Sequence, residues 1–447
     1  MLNKIGVETA QGYFISKAIH GGEFYLSYSI MRKIMLSTTN KTLLATFILL
    51  SSAVNAAQIT VKGVIEAGYI KADYHQPWLN SWQEEGVGIL RYNDDDKLML
   101  TQAAIEISGD LISNVNFDLV ANYNPDGEKS IGLTEAYFTY SPLNKGLKHQ
   151  IKFGMFYPQM SLENTSTGWT SPYTYSFSAI NSWIAEEQRT LGAQWSITRS
   201  GRKHNSPHSF TALASIFKAN DGLGSLLVWR GWAQHNRQTF YNEAVVFSDY
   251  FSQQDIPINT PNFVEPFIET DSKWGYYVGG HWRYLKQTDV RVYYYDNRGD
   301  PNAIEKNRQY AWKTQYYSVA MQHKFTSNFR LLAQYLSGDT GMGSQETGVF
   351  TDIYSWYVMF NYKLGSHRFS LRHDQFKVKE TDQNRQDPND SDGDSLTLAW
   401  RYQLDINWNV GAEFINSTSN NENRTLWESR AAEHRQKQYM AIVQYKF

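Results

Sequence analysis

From residue 57 to the end of the chain, apolar and polar positions alternate with a period of two. Ile59, Val61, Ile65 and Ala67 alternate with Lys62, Val64 and Glu66. Val115, Phe117, Leu119 and Ala121 alternate with Asn116, Asp118 and Asn122. The same pattern sets Trp356, Val358, Phe360 and Tyr362 against Tyr357, Met359 and Asn361, and Leu396, Leu398, Trp400 and Tyr402 against Ser395, Thr397, Ala399 and Arg401. The last run, with Tyr439, Ala441, Val443 and Tyr445 on one face, continues to Phe447. Successive strand side chains point to opposite faces, so each run predicts a strand with one apolar side. Helical periodicity is almost absent.

A soluble sandwich would alternate in the same way; the connections separate the two cases. Tight turns are predicted at 108–114, 284–289, 325–328, 363–367 and 403–407. Long polar connections are predicted at 73–97, 157–188, 219–272, 297–313, 338–353, 380–393 and 417–436. Short and long connections mostly take turns along the chain, as in a membrane barrel with brief periplasmic turns and extended external loops. Aromatic residues fall near strand ends (Trp282 and Tyr284, Tyr362, Trp400 and Tyr402, Tyr445 and Phe447), where an interfacial girdle belongs. Backbone groups in hydrocarbon need partners, so the sheet must close. The predicted fold is therefore an all-β, closed antiparallel transmembrane barrel whose last strand pairs with its first. Sixteen strands result if 219–272 is one excursion; 225–234 and 242–251 as a further hairpin would make eighteen. Sixteen is preferred.

Composition sharpens this picture. Only 41% of the 447 residues are hydrophobic and mean hydropathy is −0.52, which excludes a helical membrane bundle. Aromatics reach 15%, suiting a membrane–water interface. No cysteine is present, which removes disulfide frameworks, zinc fingers and thiol chemistry. Charge is near balance, without a nucleic-acid footprint. Arg32 and Lys33, the apolar run 43–50 and the small residues Val54-Asn55-Ala56 read as a secretory signal over 31–56. Residues 1–30 are then an upstream over-call of the start, and 57–447 is the barrel. Loss of residues 1–56 removes five basic and two acidic residues, so the remainder is acidic by five.

The stretch EAYFTYSPLNKGLKHQIKFGMFYPQMSLENTST (135–167) resembles phosphate-selective porins of the O and P type. There a strand ending in a Gly-x-Phe run and a following proline leads into an infolded third loop. Gly154, Phe156, Pro158, Leu162 and Glu163 occupy the matching positions, and QRTLGAQW (188–195) resembles the returning strand. The stretches 368–378 and 392–402 also resemble family strands. The resemblance implies a trimeric outer-membrane diffusion channel for small hydrophilic solutes, in contact with lipid and lipopolysaccharide and inserted by the barrel-assembly machinery. It does not extend to phosphate: the third loop carries Glu163, Glu186 and Glu187, with Arg189 as its basic residue before the return strand.

Pore-lining and constriction candidates follow from the faces. Glu66, Glu106, Asp118 and Glu135 point inward on the early strands, and Arg283, Arg291, Arg372 and Arg401 on the later ones. Lys62 and Lys152 interrupt the first group, Asp374 and Glu413 the second. Acid facing base across a lumen would set a transverse field; charged residues lining any water-filled lumen are the plainer account. Residues 157–188, with Trp169, Tyr173, Tyr175, Phe177 and Trp183, form a connection too long for a hairpin. They are expected to fold inward and narrow the pore, with Glu163 facing the arginine-bearing strands.

Two stretches invite other readings. The acidic loop 382–395 matches no calcium-loop register; it reads as a solvated external loop, with weak divalent binding to its acidic groups as the open alternative, and no cofactor is expected. Residues 228–243 gather Trp229, Arg230, Trp232, His235 and Arg237, suited either to sugar or lipopolysaccharide stacking or to interfacial anchoring. A hydrolase is disfavoured because His373 and Asp374, as strand neighbours, point apart. A plugged adhesin or receptor barrel would need a plug domain before the first strand, and alternation begins at Ile59. A solute-specific channel, for a sugar or an anion, remains the alternative to a general one.

Overall fold

The computed structural model describes residues 59–447 except 74–76, 85, 94–95, 145, 247–262 and 427–429. The expected signal and the upstream segment lie outside the described residues. In chain order the strands are β1 (Ile59–Asp73), β2 (Lys97–Ile112), β3 (Val115–Tyr123), β4 (Ile131–Tyr140), β5 (Lys148–Phe156), β6 (Thr190–Arg199), β7 (His208–Lys218), β8 (Val245–Val246) and β9 (Phe263–Val264). They continue as β10 (Gly275–Tyr284), β11 (Thr288–Asp296), β12 (Lys313–Lys324), β13 (Phe329–Met342), β14 (Val349–Leu364), β15 (His367–Glu380), β16 (Ser391–Gln403), β17 (Trp408–Asn421) and β18 (Glu433–Lys446). All but β8 and β9, which form a separate ribbon, join one closed antiparallel barrel of sixteen strands.

Closure is made by β1 and β18, in register from Val64↔Lys446 to Asp73↔Lys437. Phe447 extends the pairing: its N–H donates to the Gly63 carbonyl at 3.2 Å, and the Gly63 N–H donates back at 3.0 Å. The Phe447 ring lies over Gly63, where any Cβ would overlap it. Pairing therefore runs to the last residue, with no frayed end.

The period-two faces match the register from β10 to β18, while β1–β4 contain shifts at Glu66/Ala67, Asp110/Ile112 and Val120/Ala121. Leu371, Leu398, Trp400, Val443 and Phe360 are exposed on the outside, while Tyr357, Met359, Arg372, Asp374 and Thr397 face in and are buried. Rings meet near the short-turn end, stacked in Tyr445–Phe447 and tilted in Trp408–Tyr445. A concavity of about 760 Å³ lies on the outer wall among Phe360, Leu398, Trp400, Phe414 and Tyr439. It lies on the outward face, not in the lumen.

Short turns and longer connections segregate to opposite ends. The connections at the end that holds the long ones are L1 (74–96), L2 (124–130), L3 (157–189), L4 (219–274), L5 (297–312), L6 (343–348), L7 (381–390) and L8 (422–432), of which L2 and L6 are no longer than the turns at 141–147 and 200–207. Three differ from expectation. Residues 338–353, 380–393 and 417–436 were predicted as long loops, yet β13 to β18 extend into them from both sides. Near the long-connection end Gly, Ser, Thr, Asp and Asn dominate both strand faces in β16 and β17 and interrupt the apolar run in β13, so alternation fades while hydrogen bonding continues. The eighteen-strand alternative is excluded: residues 225–230 form a helix rather than a strand.

Candidate functional site

L3 lies inside the barrel, and its entry follows from local sequence. Gly154 faces inward at φ +132°, and a Cβ there would overlap the Ala136 carbonyl oxygen. Pairing with β6 continues past it to Phe156↔Thr190, and the chain leaves the wall at Tyr157 and Pro158. Within L3, helix α1 (Ala179–Glu187) starts at Ser178, whose hydroxyl accepts the Asn181 N–H at 3.3 Å. Trp183 packs edge-on against Trp232 and Tyr316 at 5.6 and 5.4 Å. Ile180, Ile184 and Trp183 join Tyr277, Tyr293, Tyr295, Leu332, Leu336 and Ile353 of the wall in one core. Burial of each such side chain contributes about 1.5–3 kcal/mol.

A loop drawn into a lumen carries backbone groups that need partners. The inward charged residues of β11 and β15–β17 supply them. Arg291 donates to the carbonyls of Gln159 and Ser161 at 2.9 and 2.8 Å. Arg401 donates to those of Ser171 and Thr174, both at 2.9 Å. Glu413 accepts the N–H groups of Tyr175 and Ser176 at 2.6 and 2.8 Å, and Asp374 accepts that of Ala179 at 3.0 Å. Arg372 is central: it pairs with Glu163 at 2.8 Å and with Asp374 at 2.7 Å, and donates to the carbonyls of Ser176 and Phe177.

This corrects the expected constriction. Glu163 and Arg372 are 0% exposed and Arg189 is 1% exposed; they brace L3 instead of lining open water. Arg189 donates to the Thr239 carbonyl and the Tyr157 hydroxyl and lies over the Tyr157 and Phe267 rings. Arg401 is likewise buried, over Tyr175. Side-chain faces were readable from the sequence; that the wall's charges would be used up by a loop far away in sequence was not.

L4 was not expected inside, yet it enters too. Trp229, Arg230, Trp232, His235 and Arg237 are all buried, so neither sugar stacking nor interfacial anchoring describes them. Helix α2 (Ser225–Arg230) is held at both ends by α1. Glu187 accepts the N–H groups of Leu226 and Leu227 at 2.8 and 3.1 Å, matching a carboxylate to a helix N-terminus. Glu186 pairs with Arg230 in a two-pronged contact of 2.9 and 2.5 Å. Burial, with Glu186 alongside, pushes the Glu187 carboxyl up to about 7. Burial also acts against Glu186, but Arg230 and His235 outweigh it and hold that carboxyl below the usual range. Arg91 of L1 pairs with Asp126 at 2.8 Å, and Arg237 with Glu243 at 2.5 Å. The absence of any apolar-polar period in 228–243 was the one available signal for an irregular, enclosed segment.

Inward charges left in contact with solvent lie toward the short-turn end. Glu106, Asp118, Glu135 and Arg291 are partly exposed, and Arg283 is exposed. Lys152 is mostly buried, its ammonium 4.1 Å from the Tyr137 ring centroid. A basic row crosses β12–β16. Register sets Lys324 opposite Arg330, Lys363 opposite Arg368, and Arg368 opposite Arg401. Like charges directly opposite are destabilising, and among the described residues Lys324, Arg330, Lys363 and Arg368 form no ion pair within 4.0 Å. Tyr173 of L3 reaches this row: Arg330 donates to its hydroxyl at 3.0 Å, and Arg368 lies 5.3 Å from its ring centroid.

No curated protein sequence matches the chain. Several solved barrels superpose with low identity. OmpT of Vibrio cholerae in its trimer form is 9% identical, with 88% of this chain and 100% of that chain covered at a TM-score of 0.49. The anion-selective porin from Comamonas acidovorans is 10% identical, with 88% and 100% covered at 0.48. The outer-membrane channel DcaP of Acinetobacter baumannii is 10% identical, with 88% and 98% covered at 0.47. Residues 91–221, which run from the end of L1 through β2–β7 and contain the whole of L3, match the family described as phosphate-selective porin O and P.

Proposed function

We propose that the protein is an outer-membrane porin, a passive diffusion channel for small hydrophilic solutes or ions. The observation that carries this reading is L3 itself, drawn into the lumen of a closed barrel and lying wholly within the family-matched stretch. The outward face is apolar, and the inward face carries charged and polar residues except where its rings and aliphatic side chains pack against L3, in keeping with a loop-constricted membrane barrel. The short-turn side is periplasmic in this reading. Export through the secretory pathway, a homotrimeric assembly, contact with lipopolysaccharide and insertion by the barrel-assembly machinery belong to the same proposal. Function lies in passage rather than catalysis.

A second, narrower reading is a solute-specific channel that favours anions. It rests on the basic row beside Tyr173: Lys324, Arg330, Lys363 and Arg368 endure like-charge neighbours with no carboxylate ion pair among the described residues. Against it stand Glu106, Asp118 and Glu135 on the facing wall. The row gathers four bases that form no ion pair among the described residues, so permeation is expected to favour anions. Reconstitution in a planar bilayer tests both readings. Conductance steps with an anion-directed reversal potential under a salt gradient are expected, reduced in the double variant Arg330→Gln/Arg368→Gln. Absence of any steps would overturn the porin reading; cation preference would overturn the role given to the row.

A further inference from the structure

One surface outside the lumen is unlike the rest of the short-turn end. The turn joining β6 to β7 contains a single 3₁₀ turn, Arg202–His204. From Arg199 to His208 the chain carries Arg199, Arg202, Lys203 and two histidines, and no acidic residue. Arg199, Arg202, Lys203 and His204 are exposed, as is Lys286 in the neighbouring turn. The two turns are tied together by the Leu285 N–H donating to the Pro207 carbonyl at 2.8 Å. Among the described residues none of these four Arg and Lys side chains forms an ion pair within 4.0 Å. Four other turns at this end are poor in charge, Ser113–Asn114, Phe-Thr-Ser-Asn at 325–328, Gly365–Ser366, and 404–407 with Asp405, and the β4–β5 turn at 141–147 carries the one base Lys145.

Directly beside the bases, on the outward face, lies an apolar shelf. Trp195 is 50% exposed, Phe210 49%, Trp282 37% and Leu285 62%. His208 fixes the shelf: its Nδ1 accepts the Trp282 Nε1–H at 3.1 Å, and its ring stacks on Trp282 and Phe210. Rings that meet hydrocarbon therefore border bases that reach past the hydrocarbon edge. That is the geometry for a phosphate at headgroup depth with acyl chains along the rings.

We propose that this arc of β6, β7 and β10, with its two turns, binds an anionic phospholipid of the periplasmic leaflet through its phosphodiester. The bases are Arg199, Arg202, Lys203 and Lys286; Trp195, Phe210 and Trp282 take the acyl chains. The proposal rests on the barrel's being membrane-inserted with short turns periplasmic, but not on what the lumen passes. Charge complementarity selects the lipid: each basic residue near an anionic surface contributes about fivefold to binding, and a zwitterionic lipid offers no net charge for it.

The test uses the full protein in detergent with equal amounts of phosphatidylglycerol and phosphatidylcholine, read by native mass spectrometry. Retention of phosphatidylglycerol by tenfold or more is expected, lost in Arg199→Gln/Arg202→Gln/Lys203→Gln/Lys286→Gln and unchanged in Lys377→Gln/Lys379→Gln, a control on the opposite end of the outer wall. Heat-shifted migration on gels verifies that each variant is a folded barrel, and bilayer conductance of the four-residue variant is expected to equal that of the parent. Equal retention of the two lipids by the parent overturns the proposal. So does equal loss in the control pair. If instead the four substitutions abolish sedimentation with isolated peptidoglycan and leave lipid retention intact, the arc serves the cell wall and the lipid assignment is wrong.

Discussion

The Glu163–Arg372–Asp374 cluster allows a graded test of what holds L3 in the lumen. Glu163 accepts from Arg372 at 2.8 Å, from Asn181 at 2.7 Å and from the Ser178 N–H at 3.1 Å. Glu163→Gln retains an acceptor for the Ser178 N–H but removes the charge opposite Arg372, which keeps Asp374 and two carbonyls. Arg372→Met strips the partner from two buried carboxylates at once and frees the carbonyls of Ser176 and Phe177. Removing one member of a buried pair costs about 3–5 kcal/mol, so Glu163→Gln belongs near the lower end and Arg372→Met at or beyond the upper. The half-exposed pair Lys437–Asp73, at 3.6 Å, is the contrast: Lys437→Gln should cost about 0–1 kcal/mol. Because the cluster joins a loop to the wall, the loss appears as detachment of L3 before the barrel unfolds. Single-channel conductance should rise in the order Lys437→Gln, Glu163→Gln, Arg372→Met, and protease cleavage within 165–182 should rise with it. If both cluster variants keep parental conductance and protease resistance, the ion pairs do not hold the loop and the aromatic core alone does.

Two further outcomes follow from the loops and the closing strand. Glu187 has a folded-state pKa raised to about 7, so α1–α2 packing is most stable below the ordinary carboxylate range and weakens as pH rises through about 4.5 to 7; conductance should grow from pH 5 to pH 8, and Glu187→Gln should flatten the dependence, whereas a flat parental profile would show that L4 is not held by this carboxyl. Deleting Phe447 removes the paired backbone bonds to Gly63 and the ring above it, a loss of the last rung of barrel closure beyond the ~1.5–3 kcal/mol of one buried side chain; outer-membrane levels of the folded protein should fall sharply, and parental levels would refute the role of the terminal rung.

Much of this architecture was present in local sequence. Period two assigns Trp356, Val358 and Phe360 to one face and Tyr357, Met359 and Asn361 to the other, because strand geometry leaves no third choice. Connection lengths separate the two ends of the barrel, and the terminal run through Tyr445 to Phe447 demands a paired strand. The inward direction of Glu106, Asp118, Arg283, Arg372 and Arg401 follows from the same arithmetic. What each inward charge meets does not. Glu163 and Arg372 are 209 residues apart and Tyr175 and Glu413 are 238, distances over which no periodicity carries information. Residues 228–243 read locally as a surface segment rich in Trp and Arg, and only enclosure by L1, L3 and the wall turned their side chains into a buried polar network. Local pattern determines which way a strand residue points, since that is a property of the backbone. Whether that residue meets water or another loop depends on desolvation and on partners brought together by closure, and these exist only once the barrel has formed.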